Sequence, residues 1–359
     1  MRFSFAYLFF FMLSLSIHYT LLAQELQEAN LKKPVFKQPD GGKRGDNELR
    51  IMFYNVENLL DPAEDSTRSD DEYQPTGIRG WTSSRLKQKQ INISKVVLAI
   101  GGWEPPEVVG LCEVENFRVL YGLTNFTPLI HFGYRIIHFD SPDPRGIDVA
   151  LLYRPDKFRV FYSKPIAIRF PFDTVSRTRD ILFVKGIASK HDTVNIFVNH
   201  WPSKFGGALV TIPKRNYVAS VLRRLTDSLL AVNPGANILI MGDLNESPYE
   251  EAVSKVLRAK MDSVNLEPDD LYDLLAGAGL SWERGTIKFH EEWETIDHMI
   301  ASKPMLLHTT PHGLKIFDAP FLLQDDEAWF GKKPFRTYYG IKYIGGFSDH
   351  LPVYTDFKF

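Results

Sequence analysis

Residues 236–245 read ANILIMGDLN, an apolar run that passes directly into the polar residues Asp243 and Asn245. A short apolar run of this kind is typical of a buried β-strand. The carboxylate and the amide at its end are then expected in a loop at the edge of a sheet. Asn and Asp after a strand usually serve turn geometry, but loops at one edge of a rigid sheet also carry catalytic groups.

Other predicted strands end in the same way. Their terminal polar residues are Asn55 after residues 49–54, Glu113 after 108–112, His200 after 193–199, Asp297 after 293–296, and Asp349 with His350 after 345–348. Each alone has an ordinary explanation, as a turn residue, a solvated carboxylate or a packed histidine. Their recurrence favours one site assembled from strand ends.

The remaining pattern predicts a mixed α/β fold. Apolar residues have helical spacing in 84–100, with Ser83 or Ser84 as N-cap, and again in 216–232. Further strand candidates are residues 147–154, 181–188, 298–302 and 351–357. Because several strands follow one another without an intervening helix, a simple parallel sheet is disfavoured. The prediction is two packed mixed β-sheets flanked by helices, a four-layer α/β sandwich.

The composition indicates a globular protein whose net charge is close to zero, so the charge by itself does not point to a nucleic-acid or membrane partner. The chain has 359 residues, of which 44% are hydrophobic and 13% aromatic. It carries 42 Lys and Arg against 44 Asp and Glu, so only a local basic strip could serve nucleic-acid binding. Cys112 is the only cysteine, which excludes an intrachain disulfide.

The N-terminal residues predict export to the periplasm or the extracellular space. Residues 1–23 combine Arg2, a long apolar run and the small residue Ala23, the layout of a signal peptide. An uncleaved membrane anchor is the alternative, since the run approaches the length that spans a bilayer. Residues 24–48 are polar, with prolines and a Gly pair, which predicts a flexible leader. We expect the folded domain to comprise residues 49–359.

The candidate residues point to metal-assisted hydrolysis. Carboxylate and amide oxygens suit a hard divalent cation, Mg²⁺ first, with Mn²⁺ or Ca²⁺ as alternatives. The sequence contains no H-E-x-x-H, P-loop, G-x-G-x-x-G or G-x-S-x-G motif, so several other enzyme classes have no support. Ser348, Asp349 and His350 do not form a serine-hydrolase triad, because consecutive residues cannot present nucleophile, base and orienting group in line.

A set of motifs, taken together, resembles the endonuclease/exonuclease/phosphatase superfamily. In chain order they are FYNVENLLD, GLCEVEN, RGIDVALLYRPD, VNHWPSK, IMGDLNESP, ETIDHMIAS and GGFSDHLPV. The resemblance runs from about Leu49 to the C-terminus and is greatest to exported bacterial members. It implies a two-sheet sandwich and metal-dependent hydrolysis of phosphate esters, as in deoxyribonucleases, inositol polyphosphate phosphatases and sphingomyelinases.

The resemblance also implies roles for the matching residues. The implied metal ligands are Asn55, Glu113 and Asp349, with Asn55 also beside the scissile phosphate. The implied catalytic residues are His200, Asp243, Asn245, Asp297 and His350. In this scheme Asp243 activates the attacking water, Asn245 helps hold the phosphate, and His200 donates to the phosphate or protonates the leaving oxygen. Asp297 pairs with His350, which raises the basicity of that imidazole.

Some charged residues have an equal claim to a surface role. Arg145 is interpreted as a phosphate contact. Asp148 lies near the family position that orients the strand histidine, although a turn aspartate explains it as well. Four further charged residues are predicted in loops and are more readily explained as solvated side chains than as parts of the site: Arg177, Arg179, Asp71 and Glu72.

The segment 332–350, KKPFRTYYGIKYIGGFSDH, is basic and aromatic and predicts one rim of the site. This composition suits base stacking and a phosphate backbone, while ordinary tyrosine packing is the alternative. We therefore expect a secreted Mg²⁺-dependent nuclease or related phosphodiesterase, with nucleic acid as its partner. A phospholipid or inositol-phosphate phosphoesterase with the same site is the alternative, and a non-catalytic binding module is a third hypothesis. We expect a monomer without an obligate protein partner.

Overall fold

A computed structural model describes residues 44–63, 68–102, 104–188, 192–264, 266–278, 280, 284–310 and 313–359. The predicted signal peptide and the predicted leader up to residue 43 lie outside the described residues. Of the leader's last residues, Arg44 is buried, and its Nε donates to both carboxylate oxygens of Glu107 at 3.0 Å. Among the helices of the described part, none is long and apolar enough to cross a membrane.

The first sheet has six strands in the order β14-β19-β1-β2-β4-β3. Its strands are β1 Glu48–Leu59, β2 Val108–Val114, β3 Arg135–His138, β4 Asp148–Tyr153, β14 Lys315–Ile316 and β19 Val353–Lys358. The pair β1 and β2 is parallel, whereas β1 with β19 and β2 with β4 are antiparallel. This sheet is therefore mixed.

The second sheet has seven strands in the order β5-β6-β7-β8-β13-β10-β9. Its strands are β5 Arg159–Ile166, β6 Ile181–Ile187, β7 Thr193–His200, β8 Asn237–Asp243, β9 Ala259–Lys260, β10 Leu271–Asp273 and β13 Asp297–Ser302. The pair β7 and β8 is parallel, and β13 is antiparallel to β8. The strand β8, which comes from the opening ANILIMGDLN stretch, is buried at every residue, as its apolar run predicts.

In the described part of the chain, three short hairpins lie outside the large sheets. They are β11 Ile287–Phe289 with β12 Glu292–Glu294, β15 Leu323–Asp325 with β16 Lys332–Pro334, and β17 Tyr338–Tyr339 with β18 Lys342–Tyr343. The described α-helices are α1 Ser83–Gly101, α2 Phe117–Asn125, α3 Ala208–Val232 and the single turn α4 Lys303–Leu306.

The two sheets pack face to face. A Cβ added to Gly110 in β2 would lie 2.6 Å from Cε of Met241 in β8, so the Met241 side chain packs directly against the glycine. Helix α1 contacts the first sheet, and its buried residues, such as Ile93 and Val97, belong to the same core. Helix α3 covers the second sheet, with Leu222 in a core with Ile240. The predicted four-layer sandwich is confirmed.

The helix boundaries differ from those predicted in one informative place. Helix α1 agrees closely with 84–100, although its N-cap is Thr82, whose hydroxyl accepts from the Arg85 N–H. Helix α3 begins at Ala208, well before the predicted residue 216, and includes Pro213. Leu209 and Val210 in its first turn are exposed, so no buried apolar face marks this part of the helix in the sequence.

Candidate active site

The polar strand ends meet where the two sheets face each other. In the second sheet, His200 of β7 and Asp297 of β13 are both register partners of Asp243 of β8. From the first sheet, Asn55 Nδ2 donates to Asp243 Oδ2 at 3.0 Å and lies 3.5 Å from Glu113 Oε1. The structure thus brings together residues that are distant in the sequence, because strands of both sheets end at the same end of the sandwich.

Asp243 lies at the centre of this cluster. Its Oδ2 is 3.7 Å from His200 Nε2 and 3.8 Å from His350 Nε2. Its Oδ1 accepts from the backbone N–H of Asn245 at 2.9 Å. Burial, together with the negative charge of Asp297, raises the pKa of Asp243 to about 7, although nearby His350 acts in the opposite direction. A carboxylate with this pKa can accept a proton near neutral pH.

His350 and Asp297 form a buried dyad. His350 Nδ1 lies 2.8 Å from Asp297 Oδ2. Burial disfavours the imidazolium, but the charge and the hydrogen bond of Asp297, with the charge of Asp243, raise the pKa of His350 well above its ordinary value. The predicted pairing of these two residues is present, and it leaves Nε2 of the ring facing Asp243.

His200 differs from His350 in its electrostatics. Burial and the positive charges of Arg179 and Arg145 hold the pKa of His200 well below its ordinary value, so the ring is neutral. Its Nδ1 has no hydrogen-bond partner within the part of the chain that the structure describes. Its Nε2 lies 3.9 Å from Glu113 Oε1. A neutral imidazole can donate one hydrogen bond, which separates its chemistry from that of His350.

Irregular pairing at the ends of β1 and β2 orients Asn55 and Glu113 toward the cluster. The pairing of β1 with β2 shifts register between Asn55 and Leu59, and that of β2 with β4 shifts between Cys112 and Val114. Glu113 has a left-handed φ of 61°, an uncommon conformation for a glutamate that strains the backbone. Asn58, also left-handed, donates its N–H to Glu113 Oε2 at 2.9 Å. Bulges of this kind re-aim side chains next to active sites.

Asp349 lies in a different set of contacts. Its Oδ2 accepts from Arg336 Nη2 at 2.9 Å, and Arg336 Nε donates to Glu57 Oε1 at 3.2 Å. Glu57 Oε2 accepts from the Thr337 N–H at 2.6 Å and lies 3.7 Å from Lys89 Nζ. One oxygen of the predicted metal ligand is therefore bound to a guanidinium.

The sequence predicts no role for Glu57 or Lys89, and it includes Arg336 only as part of the basic rim segment 332–350. The sequence does carry a signal for Lys89, because this residue lies on the helical stripe between the apolar residues Leu86 and Ile93. In the structure its side chain is buried, at 1% exposure. Its Nζ donates to the Thr337 hydroxyl and to the Phe347 carbonyl. This buried lysine anchors helix α1 to the segment that leads to His350.

Ser348 is a turn residue. Its hydroxyl donates to the Asn55 carbonyl at 2.7 Å and accepts from the His350 N–H at 3.1 Å. It thus ties the end of β1 to the loop that carries His350.

Asn245 and the neighbouring arginines line the second-sheet side. Asn245 Nδ2 donates to the Trp201 carbonyl at 3.1 Å. Arg179 is buried, donating to Asp143 Oδ2 at 3.0 Å and to the His200 carbonyl at 3.2 Å, so it supports the backbone at His200. Arg145 and Arg177 line a neighbouring cavity of about 290 Å³, and Arg145 lies 3.7 Å from Asp143.

Two other sequence hypotheses concern residues whose contacts lie elsewhere. Asp148 contacts Ser141, whose N–H donates to Oδ1 at 3.0 Å, and lies 3.3 Å from His138 Nε2. It is therefore paired with a different histidine from His200. Of the loop pair Asp71 and Glu72, the second forms an ion pair with Arg79 at 3.0 Å.

The donor set of the cluster fits a hard divalent cation. Asp243, Asp297 and His350 each offer a ligand atom, and these atoms lie within 4.8 Å of one another. Asp297 Oδ1 is buried and accepts no hydrogen bond from any residue that the structure describes. Glu113 adds a further carboxylate beside them. Asn55 turns its Nδ2 toward the cluster, while its Oδ1 accepts from the Glu57 N–H at 3.0 Å. Carboxylate and amide oxygens are what Mg²⁺, Mn²⁺ and Ca²⁺ prefer.

Solved structures of similar fold include truncated Caenorhabditis elegans TDP2, at 18% identity, covering 87% of this chain and 98% of that chain, with a TM-score of 0.54. A Bacteroides thetaiotaomicron endonuclease/exonuclease/phosphatase family protein is 14% identical over 86% of this chain and 97% of that chain, TM-score 0.53. D. rerio TDP2 complexed with single strand DNA product is 14% identical. The match covers 87% of this chain and 99% of that chain, with a TM-score of 0.51.

No curated protein matches the chain in sequence. Residues 50–358 match the model of the Endonuclease/Exonuclease/phosphatase family. Since that match covers most of the chain, and the fold and the polar strand ends agree with it, the protein is a member of the endonuclease/exonuclease/phosphatase family.

Proposed function

We propose that the protein is an exported, Mg²⁺-dependent phosphodiesterase that cleaves nucleic acid. The observation that carries the proposal is the buried Asp243, which lies within 4 Å of the neutral His200 and of the charged His350. A base beside an acidic imidazolium is an arrangement suited to hydrolysis.

The chain's own residues divide the work of hydrolysis. Asp243 orients the attacking water and accepts its proton. His350, held in one orientation by Asp297, donates from Nε2 to an oxygen of the phosphate or of the leaving group. His200 adds a hydrogen bond from a neutral ring, and the Asn245 amide helps position the phosphate.

Glu113 is the proposed principal metal ligand, with Asp349 contributing from the Arg336 side of the cluster. Asn55, predicted from the sequence as a ligand, presents its Nδ2 to the cluster and is proposed to donate to the scissile phosphate instead. A divalent cation held by Glu113 and Asp349 would supply positive charge to the phosphoryl oxygens. Arg336 balances the charge of Asp349, and its pKa is raised by the negative charges of Asp349 and Glu57 although burial opposes this.

Nucleic acid is the proposed substrate because of the groups around the cluster. Arg145 and Arg177 line a cavity that also includes Phe205, which is 91% exposed. On the segment 332–350, Tyr339 is exposed, and Lys333 Nζ lies 5.2 Å from the centre of its ring. Exposed aromatic rings with cations suit stacked bases and their phosphates. One protein of similar fold was solved with a single strand DNA product.

The test uses a substrate panel with purified protein lacking residues 1–23. Supercoiled plasmid, single-stranded DNA, RNA, sphingomyelin and an inositol polyphosphate are incubated with Mg²⁺ or with EDTA. We expect cleavage of nucleic acid that requires Mg²⁺ and that Asp243→Asn abolishes. Release of phosphocholine or inorganic phosphate without nucleic-acid cleavage would show that the substrate is a phospholipid or an inositol phosphate. Binding without any turnover would show that the protein is not an enzyme.

Export is a separate part of the proposal and rests on the sequence of residues 1–23. Expression of the full chain in a bacterial host, followed by fractionation and N-terminal sequencing, tests it. Mature protein beginning near Gln24 outside the cytoplasm is the expected result. Protein that keeps Met1 in the cytoplasm would contradict it.

A further inference from the structure

We propose that His138, Asp140 and Asp148 hold a second divalent cation, Zn²⁺, at a site separate from the catalytic cluster. His138 ends β3, Asp148 begins β4, and Asp140 lies in the loop between them. One ligand atom from each residue lies within 4.8 Å of the other two. The site rests on these contacts and does not depend on the proposed substrate.

The geometry of His138 and Asp148 fits a shared ion better than a hydrogen bond. His138 Nε2 and Asp148 Oδ2 are 3.3 Å apart, yet neither atom forms a hydrogen bond with any described residue. Both side chains are buried, at 4% and 1% exposure. Ligands about 2.0–2.1 Å from a tetrahedral Zn²⁺ lie about 3.3–3.4 Å from each other. The observed separation of 3.3 Å matches the one expected for two ligands on one ion.

Ser141 holds the Asp148 carboxylate in the orientation that a ligand needs. Its N–H donates to Asp148 Oδ1 at 3.0 Å, and its hydroxyl donates to the same oxygen. Both bonds engage Oδ1, so Oδ2 is left for the ion. Hydrogen bonding of a ligating carboxylate by neighbouring groups is the usual support of a protein metal site.

The charge around the site also favours a cation. Asp180 lines the same small cavity as Asp148 and Ser141, and its buried Oδ1 has no hydrogen-bond partner in the described chain. Carboxylates gathered in a buried place are unfavourable unless a positive charge compensates them.

The types of the three ligands favour one ion over others, and the site can be reached from solvent. An imidazole nitrogen with two carboxylates suits Zn²⁺ better than Mg²⁺ or Ca²⁺, which prefer oxygen alone. Asp140 is exposed, so the ion can enter from solvent beside it.

A cation at this position would fix the loop 139–147 between β3 and β4. That loop carries Asp143, which binds Arg179 at 3.0 Å, and Arg179 in turn donates to the His200 carbonyl. The site would thus stabilise the backbone beside the catalytic cluster without contacting substrate.

The first experiment counts zinc sites by calorimetry on chelator-treated protein. Glu113→Gln/His350→Gln is the background, because it weakens zinc binding at the catalytic cluster. We expect this variant to bind one Zn²⁺ tightly, and the added change Asp140→Asn to weaken that binding at least tenfold. Asp156→Asn, at another exposed aspartate, is the matched control and should leave zinc affinity unchanged. No tight site in the background variant, or equal affinity with and without Asp140→Asn, would overturn the proposal.

A second measurement keeps the catalytic cluster intact. Zn²⁺ should raise the thermal midpoint of the otherwise wild-type protein more than it raises that of Asp140→Asn, with circular dichroism confirming that both are folded. Equal zinc-dependent shifts in the two proteins would count against the site. Failure of nucleic-acid cleavage in the substrate panel leaves both zinc readouts untouched, so the two proposals fail separately.

Discussion

His350 Nδ1 lies 2.8 Å from Asp297 Oδ2, although the two residues are 53 positions apart in the sequence. Both side chains are buried, and Asp297 begins β13 while His350 precedes β19 in the other sheet. The contact therefore joins the two sheets at the cluster. Against the effect of burial, the contact also raises the pKa of His350, so that this histidine carries the positive charge. His200 has no such carboxylate partner at its Nδ1 in the described chain.

The first prediction concerns this dyad. Asp297→Asn should lower kcat for the proposed Mg²⁺-dependent phosphodiester cleavage about 10²–10³-fold, because the imidazolium loses the charge that stabilises it. KM should change much less. The measurement is steady-state cleavage of a fluorescent oligonucleotide.

A matched pair gives the control. His298 Nδ1 lies 2.7 Å from Asp273 Oδ2, and both side chains are fully buried. Asp273→Asn should reduce the free energy of unfolding but leave kcat close to wild type at temperatures where the protein is folded. If both variants lose kcat equally, the loss reflects structure and the proposed role of Asp297 is wrong.

The second prediction concerns the metal. Glu113→Gln should raise the Mg²⁺ concentration for half-maximal activity at least tenfold, because one charged oxygen ligand is lost. Mg²⁺ titrations of the cleavage rate measure this. Glu115→Gln is the control, since Glu115 accepts from the Asp61 N–H instead of facing the cluster. An unchanged Mg²⁺ requirement in Glu113→Gln would remove Glu113 from the metal site.

The third prediction concerns stability behind the site. Lys89→Met should reduce the free energy of unfolding by about 3 kcal/mol, because Glu57 keeps a buried charge with one fewer partner. Urea denaturation measures it. Adding Glu57→Gln should recover part of the loss, as the uncompensated charge is then gone. Equal stability of the wild type and Lys89→Met would show that this ion pair contributes nothing net.

The fourth prediction is a pH dependence away from the site. Burial opposes ionisation of Asp270, but the hydrogen bonds from Lys260 Nζ at 2.5 Å and from the Glu267 N–H at 2.6 Å lower its pKa below the ordinary value. A lowered pKa in the folded state stabilises the fold above the unfolded pKa of about 3.9, and this stability is lost as the pH falls through the folded pKa.

Asp270→Asn should therefore cost about 1–2 kcal/mol at pH 7 and progressively less below about pH 4. Urea denaturation of both proteins across that range is the measurement. A difference that stays constant with pH would show that packing, and not ionisation of Asp270, accounts for the effect.

The strands and their polar ends were predictable because their signals are local. The apolar run of residues 236–245 marks β8, and its burial leaves Asp243 at the sheet edge. The same local pattern predicts Asn55, Glu113, His200 and His350 at or beside strand ends. The start of α3 was not predictable in this way, since Leu209 and Val210 are exposed and carry no periodic burial signal.

By itself, the sequence determined the sandwich fold, the family and the residues that gather in the cluster, because each follows from a run of neighbouring residues. Only the tertiary structure decided the partners of the charged groups. It bound Asp349 to Arg336, placed Asp148 beside His138, and buried Lys89 against the segment before His350. These contacts join neighbouring strands, a loop segment and helix α1, and they depend on the distances and the burial that the folded chain sets up, which no local pattern encodes.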